Sequence, residues 1–173
     1  MDQKGRVRRT TILCCHFLRN AAYYRTGWED GRLRLGGQFW VTANGNFLDH
    51  CVLEWCKLFG DKRGEHYWQK VVIDPAAFWP ELLEHLGKSQ EQFDSYVGEM
   101  RLLRDKFIAH LDSEPTMYPP HLDLAVTSAT RLYDHLVTSP ETSKFVTDAC
   151  PSGAKFYGTC IYDAMRVYSS EAD

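Results

Sequence analysis

From about Val7 to Tyr24 the apolar residues Ile12, Leu13, Phe17, Leu18, Ala21 and Ala22 recur at helical spacing, with Thr10 and Thr11 near the start, and predict a first helix. It runs into TGWEDGRLRLGG, whose four glycines predict a loop. The segment QFWVTANGNFLDHCVLEWCKLFGD then carries Phe47, Cys51, Val52, Trp55, Leu58 and Phe59 on a broad apolar face, so a second helix is expected through Gly45, closed by GDKRG. EHYWQKVV reads as a short helical or irregular piece. In IDPAAFWPELLEHLG, Asp74 is placed to cap a helix, Pro75 takes its first position and Gly87 ends it. Pro80 lies inside, so this helix is either kinked or starts late.

SQEQFDSYVGEMRLLRDKFIAHLDSEP is the clearest element. Ser89 and Gln92 fit a capping box, and Pro115 enforces the stop. A further helix is expected from about His121 to Leu136, and a weaker one over 153–169. No strong β alternation and no internal repeat is visible, and TSPETSK and the final SSEAD are polar and uninformative. The expected fold is all-α, an up-and-down helical bundle of four to six helices with no sheet beyond a stray hairpin. At 173 residues the chain suits one domain spanning 1–173.

The composition, 44% hydrophobic and 13% aromatic, supplies a real core and argues against disorder. A net charge of -3 removes broad, non-specific DNA binding as the default, while leaving room for a local cationic pocket that holds one phosphate. The basic runs KGRVRR and RLR read as solvated surface. No apolar run has the length of a signal peptide or membrane span, so a cytoplasmic protein is expected. The six cysteines then read as reduced and mostly buried; Cys51 and Cys56, even with His50 nearby, lack the spacing of a common zinc site, and no metal or other cofactor is expected. Trp40, Trp55 and Trp68 have faces on which bases could stack, but their helical spacing favours core or interface positions.

LRDKFIAHLD breaks the pattern. On a wheel advancing about 100° per residue, Phe93, Tyr96, Val97, Met100, Leu103, Phe107, Ile108 and Leu111 form one apolar arc. Arg104 falls inside it and His110 at its edge, while Asp105 and Lys106 point away. An arginine offers a fixed fork of donors to phosphoryl oxygens, and a histidine moves protons near neutrality. RNA carries its own nucleophile in the 2′-hydroxyl, so such a pair suffices to cleave it if RNA is the substrate. The same spacing also fits an arginine paired with an acid inside the bundle or snorkelling along its edge, with the histidine bonded to a carbonyl.

RDKFIAH resembles the Arg-x(4 to 6)-His motif of the HEPN superfamily (higher eukaryotes and prokaryotes nucleotide-binding domain). With FWVTANGNFLDHCVLEWCKLFGD, HYWQKVV, LRDKFIAHLDSE and YPPHLDLAVTSATRLYD, the chain is similar over roughly residues 38–136 to the branch associated with phage abortive infection. The resemblance implies that Arg104 and His110 are catalytic and that Asp105 matches the motif's polar third member. A carboxylate there repels a phosphate unless Arg104 or Lys106 neutralises it or it fixes the arginine. The resemblance further implies a metal-independent endoribonuclease, a toxin or phage-defence component with an RNA substrate and a possible antitoxin protein. It implies a homodimer that joins two motif helices, here through the face bearing residues 96–111. Catalytically inactive HEPN domains, which bind nucleotides, RNA or a protein partner, are the alternative.

Overall fold

The computed structural model describes residues 1–108 and 120–170. Helix α1 (Gln3–Thr26) starts where the Asp2 carboxylate accepts the Gly5 N–H at 2.8 Å, and it lies at the centre of the fold, packed against three other helices. Phe17, Leu18, Ala21 and Ala22 are fully buried along it, as the helical spacing predicted, and so are Val7 and Cys14, whereas Leu13 is only partly buried and Ile12, expected on the same face, is 51% exposed. The helix stops at Gly27, where a Cβ would run into the side-chain amide of Asn44 and, at 2.7 Å, the Tyr168 hydroxyl. A two-residue hairpin follows, β1 (Trp28–Glu29) with β2 (Arg32–Leu33); Asp30 and Gly31 both have positive φ, the geometry that Asp-Gly favours in such turns.

Helix α2 (Gln38–Trp55) crosses α1 and passes into a π turn, Cys56–Gly60, so the predicted second helix is two elements in sequence. Trp55 is fully buried at that junction, and its indole N–H donates to the Ser128 hydroxyl at 2.9 Å, which donates to the Ala125 carbonyl. EHYWQKVV yields only a 3₁₀ turn, Trp68–Lys70. Helix α3 (Pro75–Leu86) begins at Pro75 under the Asp74 cap and continues through Pro80, which rules out the late start. Gly87 ends it at positive φ, its N–H on the Glu84 carbonyl and that of Lys88 on Leu83, a Schellman pair.

Helix α4 (Gln90–Leu103) opens on the expected Ser89–Gln92 capping box. Helix α5 (Asp123–Thr138) buries Ala125, Ser128, Ala129, Leu132, Tyr133 and Leu136. TSPETSK, which reads as featureless, folds into the single turn α6 (Pro140–Ser143): Thr142 is fully buried there and donates to the Leu136 carbonyl at 2.8 Å. Helix α7 (Gly153–Ser170) is a full helix packed on α1 and α5. Asp134 accepts the Gly153 N–H at 2.7 Å, and a Cβ on Gly153 would press on Thr130, so the small residue permits the close crossing.

The result is an all-α bundle with seven helices among the described residues, six of them longer than one turn. Trp55 and Trp68 are core residues, and Trp40 packs against a small satellite cluster of Leu35, Ala164 and Tyr168. The cysteines are free thiols, Cys14, Cys51, Cys56 and Cys160 buried and Cys15 and Cys150 partly so. Among the described residues no helix is long and apolar enough to cross a membrane.

Candidate active site around Arg104

The face of α4 that carries Phe93, Tyr96, Met100 and Leu103 is buried in the chain's own core. After Leu103 the α-helical ladder gives way to a π turn, Arg104–Ile108, so the wheel that placed Arg104 inside the apolar arc ends one residue before it. The widened turn brings Arg104 to the margin of the core, its side chain 25% exposed, while that of Asp105 is 52% exposed. Single π turns of this sort concentrate at functional sites.

Arg104 Nε donates to Asp105 Oδ1 at 2.7 Å. This bond, chiefly, raises the guanidinium's already high pKa, with partial burial opposing it. Among the described residues the terminal amines Nη1 and Nη2 have no hydrogen-bond partner. With Nε held, the end-on edge formed by those two amines is the one left to meet an oxyanion. Of the sequence-predicted site residues, the structure thus joins Arg104 to Asp105 in the fixing role open to that carboxylate. His110 lies outside the described residues, as does the stop at Pro115.

Beneath this turn lies the first π turn. Cys56 is buried beside Arg104; desolvation pushes its thiol up to about 11, against the pull of the Arg104 and Arg101 cations. It stays a neutral thiol near pH 7 and is no nucleophile there. Gly60 faces Arg101, with room for a Cβ only at 3.4 Å from Arg101 Cγ, and Asp61 adds to the positive-charge-stabilising field at Arg104. No group of three or more His, Cys, Asp or Glu side chains able to hold a metal occurs among the described residues.

The burial of Phe93, Tyr96, Met100 and Leu103 limits the expected subunit interface. Those residues already have partners within the chain, while Leu102, two residues before Arg104, is 54% exposed. Sequence reasoning also passed over a large groove along α1, where Lys4 and Arg8 of the run read as solvated surface lie one helical turn apart. The spacing of Lys4, Arg8 and Ile12 at i, i+4 and i+8 was the available signal.

Comparison with protein-family models, with curated proteins and with solved structures finds no match for the chain.

Proposed function

We propose that the chain is a HEPN-type, metal-independent endoribonuclease. The observation that carries this reading is the Arg104 guanidinium, fixed through Nε by Asp105 with its terminal edge unpartnered among the described residues. A cation held in one orientation stabilises charge as it develops on a phosphoryl oxygen, without paying for reorganisation at the moment of reaction. Arg104 would grip the scissile phosphate, and Asp105 would orient Arg104. His110 would take the proton from the 2′-hydroxyl or deliver one to the leaving oxygen. Attack of the 2′-oxygen on phosphorus forms the new P–O bond as the bond to the 5′-oxygen breaks. The products are a 2′,3′-cyclic phosphate and a 5′-hydroxyl. The nucleophile belongs to the substrate, so the step needs no metal. Two copies joined along the Leu102–Arg104 flank would place two such arginines on one cleft, and a toxin or phage-defence role under an antitoxin protein follows from the HEPN resemblance.

The test is to incubate labelled single-stranded RNA in excess chelator with wild type, His110→Ala and Arg104→Ala. Wild type is expected to leave 2′,3′-cyclic phosphate ends, and His110→Ala to lose on the order of 10²–10⁴-fold in rate. Intact RNA across a broad substrate panel would transfer the chain to the catalytically inactive binding modules. Unchanged cleavage by His110→Ala would leave an enzyme with a different mechanism.

A further inference from the structure

A groove of about 1000 Å³ runs along α1, walled on the other side by the segment between α6 and α7 and by Phe156 of α7. Its charge is opposite to that of the whole protein. Lys4, Arg8, Arg19 and Lys144 line it against one acid, Asp148, in a chain of net charge -3. None of the four cations forms a salt bridge among the described residues, whereas Arg6, on another face of α1, is paired with Glu65 at 2.9 Å. The four are exposed and none is neutralised by an ion pair among the described residues, so together they leave this face with a net positive field.

Beside the charges lie the rings of Phe145 and Phe156, both packed against the core and each with only part of its surface turned to the groove. The Arg19 guanidinium lies 5.7 Å from the centre of the Phe156 ring, and the Lys144 ammonium 5.2 Å from that of Phe145. Ile12, 51% exposed, continues the apolar floor between Arg8 and Arg19. Cys15 and Cys150 line it too, and burial pushes the Cys15 thiol up to about 11, which keeps it neutral near pH 7. From Lys4 to Arg19 the helix rises about 22 Å, the length of about six stacked nucleotides at 3.4 Å each.

A cationic track interleaved with aromatic faces is the arrangement that takes a single strand, phosphates on the charges and bases on the rings. We infer that this groove is a binding track for single-stranded RNA, separate from the Arg104 site. Charge and rings ask only for a single-stranded nucleic acid; the choice of RNA rests on the ribonuclease reading. An acidic protein segment would use the same cations but has no need of the rings.

Fluorescence anisotropy of a labelled 2′-O-methyl RNA 12-mer, which has no free 2′-hydroxyl to attack, tests the track without cleavage. Four neutralised phosphates give a slope of log K against log salt of about -2.8. Arg8→Ala with Arg19→Ala is expected to halve that slope to about -1.4, with an unchanged circular dichroism spectrum because both side chains are exposed. Arg104→Ala should keep most of it. A slope unaltered by the double substitution would overturn the track, as would displacement of the RNA by polyglutamate of equal charge as effectively as by unlabelled RNA. Loss of slope in the double variant of a protein that cleaves no unmodified RNA would uphold a track for single-stranded nucleic acid while sinking the ribonuclease reading and, with it, the preference for RNA over DNA.

Discussion

Among its described residues the chain makes two π turns, and it uses them in opposite ways. In Cys56–Gly60, four of five residues are buried and only Lys57 is exposed. Phe59 stacks on Trp55 with ring centres 5.2 Å apart and meets Phe93 edge-on at 5.8 Å. Arg104–Ile108 begins instead with a cation and a carboxylate bonded to each other at the edge of the core. The same departure from the α-helical ladder closes the core in one place and presents a charged pair in the other. Backbone geometry alone therefore does not mark a site; what marks it is a charge held still with a donor edge to spare.

The largest expected effect breaks the packing turn. Phe59→Ala empties a site that is 2% exposed and removes two ring contacts, which should cost about 3–5 kcal/mol, read as a lower urea midpoint. The next effect is alkaline. Folding raises the Cys56 thiol from an ordinary 9.0 to about 11, so between those values the unfolded chain gives up its proton while the folded chain keeps it. Stability therefore falls as pH rises through that window, by roughly 2–3 kcal/mol for this group. Cys56→Ala should make the decline shallower in urea titrations from pH 8 to 11, with the contribution of Cys15 remaining.

The exposed turn should barely move in the same assays. Arg104→Ala breaks a partly solvated pair between sequence neighbours, and its unfolding free energy should change by about 1 kcal/mol at most. Gly60→Ala is the smallest: the added Cβ has ordinary contact distance to Arg101 and the backbone is not at positive φ, so stability should hold or rise by up to about 1 kcal/mol. A large loss in Arg104→Ala would mean that the two turns share one packing role and would erase the distinction between them, whereas a large loss in Gly60→Ala, inside the packing turn, would mean only that its added Cβ does not fit beside Arg101 and Cys56.

Local signals account for the elements that could be read in advance. Asp74, Pro75 and Gly87 bracket α3, and Ser89 with Gln92 opens α4, because caps act within a few residues. Both π turns escaped: WCKLFG and RDKFI continue an apolar helical period, and nothing in residue spacing reports a ladder that widens by one residue. Thr142 escaped as well, since its local sequence is polar and its hydroxyl meets the Leu136 carbonyl, six residues back, only once the chain turns at α6. In the candidate site, the types of Arg104 and Asp105 were legible; their bond was not, because a wheel directs the two side chains apart. The groove cations come from separate segments, and Lys144 joins Lys4 and Arg8 only through the fold.

The central claim is that Arg104 works on a phosphate and holds up little else. Its direct measurement is the cleavage rate of one labelled RNA by wild type and Arg104→Ala at equal concentration, taken with the urea midpoint of each. Removing one preorganised donor to an oxyanion costs about 10²–10³-fold in rate, so cleavage should fall that far with the midpoint nearly unmoved. Equal cleavage by the two proteins would contradict the account.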